Sequence, residues 1–270
     1  MKIPFVKMHG NGNDFVIIDN TKAKLSNRKK LILNISNRKT GVGCDQVIFM
    51  ENSAKYDILM KIYNADASEA EMCGNAARCI ASLYLAGNRK KEVKIETISS
   101  LLLGKVEKNN EISIHQKLPK QSLSKIIKKG HSNIIDLKEI HPLLSKGFIV
   151  NMGNPHVVFF TSNLKKINLK EVGNKIEKYE AFINGINVEI VQLLSKTKIK
   201  IKFWERGAGE TLSCGSGILA AFYACYKEKK CSSNVNIILP LGSANAKIEG
   251  SKLSLTGKAV VSFLGEYNYA

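Results

Sequence analysis

Two cysteines stand out because each is followed by glycine and then by an Ala-rich apolar run. Cys73-Gly74-Asn75 leads into Ala76–Ala86, and Cys214-Gly215-Ser216-Gly217 leads into Ile218–Tyr226. Both runs are apolar nearly all round, which predicts two buried helices that begin at the cysteines. Gly87 is the expected stop of the first. A helix start carries unpaired N–H groups and a partial positive charge, so it favours a thiolate over a thiol and binds carboxylates. Glycine at the next position lets a ligand approach the backbone. A lone buried cysteine is usually a small packing residue. Two in matching settings point to stereoinversion: one thiolate takes a proton from an α-carbon, and a thiol on the other face returns one. General acid–base groups each contribute about 10²–10⁴-fold to such a step. The chemistry needs no metal and no pyridoxal phosphate. The six cysteines form no CxxC or zinc-spaced cluster, and no lysine stands out as a cofactor site. A cysteine hydrolase, the different-class alternative, uses one nucleophile and gives no reason for a duplicated Cys-Gly.

The elements that must position these residues are themselves duplicated. Gly10-Asn11 resembles Gly153-Asn154 at an offset of 143 residues, and Gly43–Val47 precedes Asn184–Val188 by 141. Asn64–Gly74 precedes Glu205–Gly215 by 141, and Lys105–Ile112 precedes Lys247–Leu253 by about 142. The repeats span roughly 1–117 and 146–262. With the Lys/Ser/Leu-rich crossover at 117–145 counted in the second, the expected domains are 1–117 and 118–262, with the tail 263–270 added to the first. Phe15–Asp19, Val47–Phe49, Ile58–Ile62, Phe148–Val150, Val157–Phe160 and Ile199–Phe203 read as strands. Lys105–Ile114, turning at Asn109-Asn110, reads as a hairpin, and Lys247–Leu255, turning near Gly250, repeats it. The fold class is therefore α/β of the α+β type. Two similar repeat domains, each with mixed or antiparallel sheet around a central buried helix, are expected about a pseudo-twofold, with the site in the cleft between them.

The motifs resemble those of the diaminopimelate epimerase family of the cofactor-independent racemase superfamily. The resemblance is carried by Lys7–Phe15, Gly41–Gln46, Asn64–Arg78, Met152–His156, Asn184–Asn187 and Trp204–Gly217, and it covers essentially the whole chain. It implies interconversion of LL- and meso-2,6-diaminopimelate, a small diamino dicarboxylate, in lysine and peptidoglycan precursor synthesis. The catalytic residues it implies are Cys73 and Cys214 as the acid/base pair, with His156 and Glu205 tuning them. Gly74, Asn75, Gly215 and Ser216 are implied as the cradle for the reacting carboxylate, and Asn11 and Gln46 as neighbours of the substrate. Asn64, Asn154, Asn187 and Arg206 suit the distal carboxylate, and the backbone at Glu205 and Arg206 the distal ammonium. The resemblance also implies a homodimer and closure over substrate. Ala67 and Ala76 stand where the family usually has glycine, and Cys44 where it has alanine. A proline or hydroxyproline racemase of the same fold is the nearest alternative, but its small cyclic substrate has no second polar end for the Asn64, Asn154, Asn187 and Arg206 set.

The composition narrows the remaining classes. The chain has 270 residues, 44% hydrophobic and 24% charged, with a formal charge of +18. Such a balance raises nucleic-acid binding as the non-enzyme alternative. Only Arg28, Arg38, Arg78, Arg89 and Arg206 are arginines, and the lysines form no block, so nucleic acid is not an expected partner. No apolar run approaches membrane-spanning length and no signal-peptide pattern opens the chain. A cytoplasmic protein with reduced thiols is expected.

Overall fold

The computed structural model describes residues 1–22, 25, 28–119 and 122–269. Ala270 of the tail and residues 120 and 121 of the crossover lie outside them. The chain divides into two compact units, Met1–Gln116 with Thr256–Ala270, and Lys117–Leu255.

Unit 1 begins with β1 (Lys2–Gly10), β2 (Asn13–Asp19) and helix α1 (Arg28–Ser36), then β3 (Gln46–Glu51), β4 (Ile58–Asn64) and the short β5 (Glu69–Ala70). Helix α2 (Gly74–Asn88) follows, then β6 (Glu92–Glu96), β7 (Leu101–Val106) and β8 (Ile112–Lys117). β1 and β2 are antiparallel, β2 and β3 parallel, β3 and β4 antiparallel, and β4 and β6 parallel. Strand side chains alternate between faces. Phe15, Ile17 and Ile48 therefore pack on α2, while Val16, Ile18, Val47 and Phe49 pack on Leu31, Ile32 and Ile35 of α1. Burial on both faces explains why these strands read as continuous apolar runs. Gly104 of β7 lets α2 sit close, since a Cβ there would lie 2.7 Å from the Ala81 methyl.

Unit 2 repeats this order. It has β9 (Ile134–Ile135), β10 (Gly147–Asn151), β11 (Pro155–Thr161) and α3 (Leu169–Glu177), then β12 (Asn187–Ser195), β13 (Lys198–Glu205) and β14 (Gly209–Thr211). Helix α4 (Gly215–Lys227), β15 (Asn234–Leu239), β16 (Gly242–Glu249) and β17 (Lys252–Gly257) complete it. β10–β11 is antiparallel, β11–β12 parallel, β12–β13 antiparallel, β13–β15 parallel and β15–β16 antiparallel. The crossover is part of this unit's core: Ile126, Ile135, Leu137 and Leu144 pack with Leu169, Val172 and Ile176 of α3. The last strand, β18 (Val260–Asn268), returns to unit 1 and lies antiparallel to β1.

Three details differ from expectation. Helix α2 does not stop at Gly87. It runs one residue further, Asn88 Nδ2 caps the Tyr84 carbonyl at 2.9 Å, and Arg89 takes the left-handed turn at φ 52°. Helices α1 and α3 were not anticipated from the sequence. The repeat offset in the parallel ladders is 141 throughout: Phe15 lies opposite Gln46, and His156 opposite Asn187. The count of 143 at Gly10-Asn11 came from the hairpin turns. Asn11 and Gly12 make a two-residue turn with positive φ at both positions, whereas three residues separate Asn151 from Pro155. Asn13, not Asn11, thus occupies the place that Asn154 has in unit 2. Among the described residues no helix is long and apolar enough to cross a membrane.

Candidate active site

In unit 1 Cys73 is the N-cap of α2, in extended conformation at φ −143° and ψ 110°, and its carbonyl accepts the first helical bond from Ala77 N at 2.9 Å. The thiol donates to Asn13 Oδ1 at 3.6 Å, and Asn75 Nδ2 donates to the same oxygen at 3.2 Å. Behind Asn75 stands Arg78, whose Nη2 donates to Asn75 Oδ1 at 2.5 Å. Arg78 is fully buried, its Nε and Nη1 have no partner among the described residues, and burial pushes its pKa down. Gly10 leaves room for it, since a Cβ there would lie 3.1 Å from Nη2.

Gln46 and Asn64 meet across β3 and β4, Gln46 Nε2 donating to Asn64 Oδ1 at 2.9 Å. Asn64 Nδ2 donates to Ser68 Oγ at 3.0 Å, across a turn in which Ala67 has φ 66°. That left-handed conformation accounts for the glycine usual there. Asn11 Nδ2 and Gln46 Oε1 are buried and have no partner among the described residues. Such groups are costly, about 1–3 kcal/mol each, unless a polar ligand satisfies them.

Unit 2 holds the other half of the predicted set. Cys214 is the N-cap of α4, and its sulfur accepts from Gly217 N at 3.4 Å and lies 3.4 Å from Ser216 Oγ. The Glu205 carboxylate lies near the same sulfur and accepts from Thr211 Oγ1 at 2.6 Å. The expected depression of the thiol by the helix start does not hold for Cys214. Burial, followed by the nearby Glu205 and Glu189 carboxylates, pushes its pKa well up, and the hydrogen bonds from Ser216 and Gly217 offset only part of this. Burial likewise raises the pKa of Glu205.

His156 does not bond to Cys214 directly. Its Nδ1 lies 2.8 Å from Glu189 Oε1 and its Nε2 3.0 Å from Asn154 Oδ1. Asn154 Nδ2 donates to Ser216 Oγ at 3.2 Å, so His156 reaches the sulfur through two intermediaries. Asn187 is held by backbone, donating to Pro155 O at 2.8 Å and accepting from Arg206 N at 2.9 Å. Arg206 Nη1 donates to Asn184 O at 3.1 Å. The distal set is thus divided, with Asn64 in unit 1 and Asn154, Asn187 and Arg206 in unit 2.

The sequence reading missed Asn13, Arg78 and Glu189. The signal for Glu189 was available: it is the one charged residue in the apolar run Val188–Val191. The other cysteines are packing thiols. Burial pushes the pKa values of Cys44 and Cys79 up to about 12, and Cys225 and Cys231 are buried in the core of unit 2.

A family model described as diaminopimelate epimerase matches residues 5–117 and 148–262. The diaminopimelate epimerase of Carboxydothermus hydrogenoformans is 37% identical over 274 residues, covering 97% of this chain and 98% of the relative. That of Rickettsia felis is 37% identical over 269 residues, covering 98% and 97%. Among solved structures, a phenazine biosynthesis protein of the PhzF family from Bacillus anthracis has the same fold, with a TM-score of 0.69 at 17% identity over 100% of both chains. By its full-length match to that family model and to these relatives, the chain belongs to the diaminopimelate epimerase family, a family of isomerases.

Proposed function

We propose that the protein interconverts LL- and meso-2,6-diaminopimelate by two-base proton transfer between Cys73 and Cys214, without a cofactor, in lysine and peptidoglycan precursor synthesis. The observation that carries this reading is the cysteine N-cap of a buried helix in each unit, at positions 141 residues apart in frames of matching strand register. The first-turn N–H groups of Gly74, Asn75, Gly215 and Ser216 receive the carboxylate at the reacting carbon. Glu205 lies beside the Cys214 thiol, and burial makes it unusually basic for a carboxylate. It takes the thiol proton, and the resulting thiolate abstracts the α-proton while Cys73 delivers one to the opposite face. In the reverse direction the roles exchange. The unpartnered Asn11 Nδ2 and Gln46 Oε1 offer a donor and an acceptor beside the substrate. Asn64, Asn154, Asn187 and Arg206 select the distal end.

A homodimer and a cytoplasmic location belong to the same reading. Val261 and Leu264 on β18, paired with Met8 and Val6 of β1, are exposed on one face of the strand and give the apolar surface that a second copy would cover. The decisive experiment is incubation of reduced protein with LL-diaminopimelate in deuterium oxide. Meso product carrying deuterium at one α-carbon is expected, with no added cofactor. Absence of both product and exchange from folded protein overturns the proposal. Cys73→Ser and Cys214→Ser should each lower turnover by about 10²–10⁴-fold, and full activity in either would refute the pairing.

A further inference from the structure

Glu189 has no part in the reaction just described, yet it is buried with 1% of its surface exposed. The alternation of β12 explains its placement: Val188 and Ile190 pack in the α3 core and Val191 in the α4 core, so Glu189 points toward α4. Only glycine at position 217 admits it, because a Cβ there would lie 2.5 Å from Glu189 Oε1. A buried carboxylate needs a partner, and His156, equally buried, supplies one at 2.8 Å. The ionisable side chains of this cluster are Glu189 on β12, His156 on β11, Glu205 on β13 and Cys214 on α4. On the α3 side Glu177 is already engaged, its two oxygens accepting from Trp204 Nε1 and Gly207 N.

The donor and acceptor inventory then fixes a direction. Where Glu189 is ionised it only accepts, which puts a hydrogen on His156 Nδ1. His156 Nε2 faces the Asn154 carbonyl oxygen, which likewise only accepts. Asn154 passes the sense on by donating from Nδ2 to Ser216 Oγ. The Ser216 hydrogen is left to point at the Cys214 sulfur 3.4 Å away. We infer that Glu189 is a positioning residue that holds His156 as the imidazolium, and so directs the chain His156–Asn154–Ser216 to end in donation to the Cys214 sulfur. This rests on the proposed epimerase reading for the importance of a Cys214 thiolate. In Glu189→Gln the ring loses one proton, Nε2 becomes an acceptor and the Asn154 amide turns over. Ser216 then donates to Asn154 instead of to sulfur. The pair Glu189–His156 is neutral overall before and after the change, so the distant field at Cys214 is little altered and the loss is one of direction.

The test uses the full-length protein labelled with ¹⁵N-histidine, with the His156 signal assigned by its disappearance in His156→Gln. Both ring nitrogens of His156 should be protonated at pH 7.5 in the parent, and only one in Glu189→Gln. A singly protonated ring in the parent overturns the inference whether or not the variant folds. The second readout is the pH dependence of Cys214 alkylation in a Cys73→Ser background. Glu189→Gln should move it upward by about one pH unit, the tenfold loss expected when a thiolate forfeits a hydrogen bond. In the full enzyme kcat should fall about tenfold in both directions, as a fixed equilibrium constant requires, with KM within about twofold. An unmoved alkylation profile despite a neutral ring also overturns it. If the parent fails the deuterium experiment while both readouts behave as stated, the proposed reaction fails and the role of Glu189 stands.

Discussion

In unit 1 the buried charge behind the cysteine stands on the helix, as Arg78; in unit 2 it stands on the strands, as His156 and Glu189. The places correspond through the 141-residue register. Phe15 and Ile48 occupy in unit 1 the positions of His156 and Glu189, and Leu219 occupies in unit 2 the position of Arg78. The frames share an Asn at the hairpin, Asn13 or Asn154, bonded at 3.2 Å to the second residue of the helix, Asn75 or Ser216. What differs is polarity. From Arg78 the hydrogen bonds run from helix to hairpin, and Cys73 donates to Asn13. From His156 they run from hairpin to helix and reach the Cys214 sulfur as acceptor. A duplicated scaffold can therefore prepare one thiol as donor and the other sulfur as acceptor by moving a charge from one side of the same contact to the other.

The comparison breaks most severely if His156 is given its unit 1 counterpart. His156→Phe leaves Glu189 an uncompensated buried charge and should cost about 3–5 kcal/mol in urea unfolding. Adding Glu189→Ile should restore stability to within about 1–2 kcal/mol of the parent, because Phe15 and Ile48 pack in this register in unit 1. Equal instability of single and double variants would show that the two frames are not interchangeable. Gly217→Ala sharpens the comparison at the helix. Its counterpart is Ala76, tolerated where Ile48 replaces Glu189. In unit 2 the added methyl drives Glu189 aside, with an expected cost of about 1–3 kcal/mol, whereas Ala76→Gly should cost about 1 kcal/mol or less.

The smallest expected effect lies in the hairpin of unit 1, where the Arg38 side chain that clamps Asp14 is well exposed. Asp14 accepts from Lys7 Nζ at 2.6 Å and is clamped by Arg38 at 2.6 and 3.0 Å, while Lys7 also donates to the Gly43 carbonyl. Burial raises the Asp14 pKa, but the Arg38 and Lys7 bonds prevail and hold it at about 2 against an ordinary 3.8. The stabilisation is present above pH 4 and is lost as pH falls toward 2. Asp14→Asn should cost about 1 kcal/mol at pH 7, after allowance for solvent screening, and the difference from the parent should vanish near pH 2.

Local signals were the legible ones. The cysteine caps, the Ala-rich helices and the Asn109-Asn110 turn, with φ of 61° and 58°, all follow from neighbours in sequence. Helix α1 was not legible because its apolar face is only Leu31, Ile32 and Ile35, and its helicity comes from packing on β2 and β3. Glu189 was passed over because its partner lies 33 residues away on a parallel strand, and a single acid in a strand looks like an outward-facing residue. The depressed thiol expected at Cys214 followed from the helix start alone, and the opposing burial and carboxylates come from tertiary structure.

The return of β18 to β1 has a consequence for the order in which the molecule is made. Unit 2 is one continuous stretch of chain, Lys117–Leu255, and has all its strands once that stretch has left the ribosome. Unit 1 is made first but remains a strand short until Val260–Asn268 emerges, with the β1 edge that pairs from Lys2 to His9 unmatched. The half that begins synthesis is thus the half that finishes folding, and its open edge is the part of the nascent chain most exposed to wrong pairing.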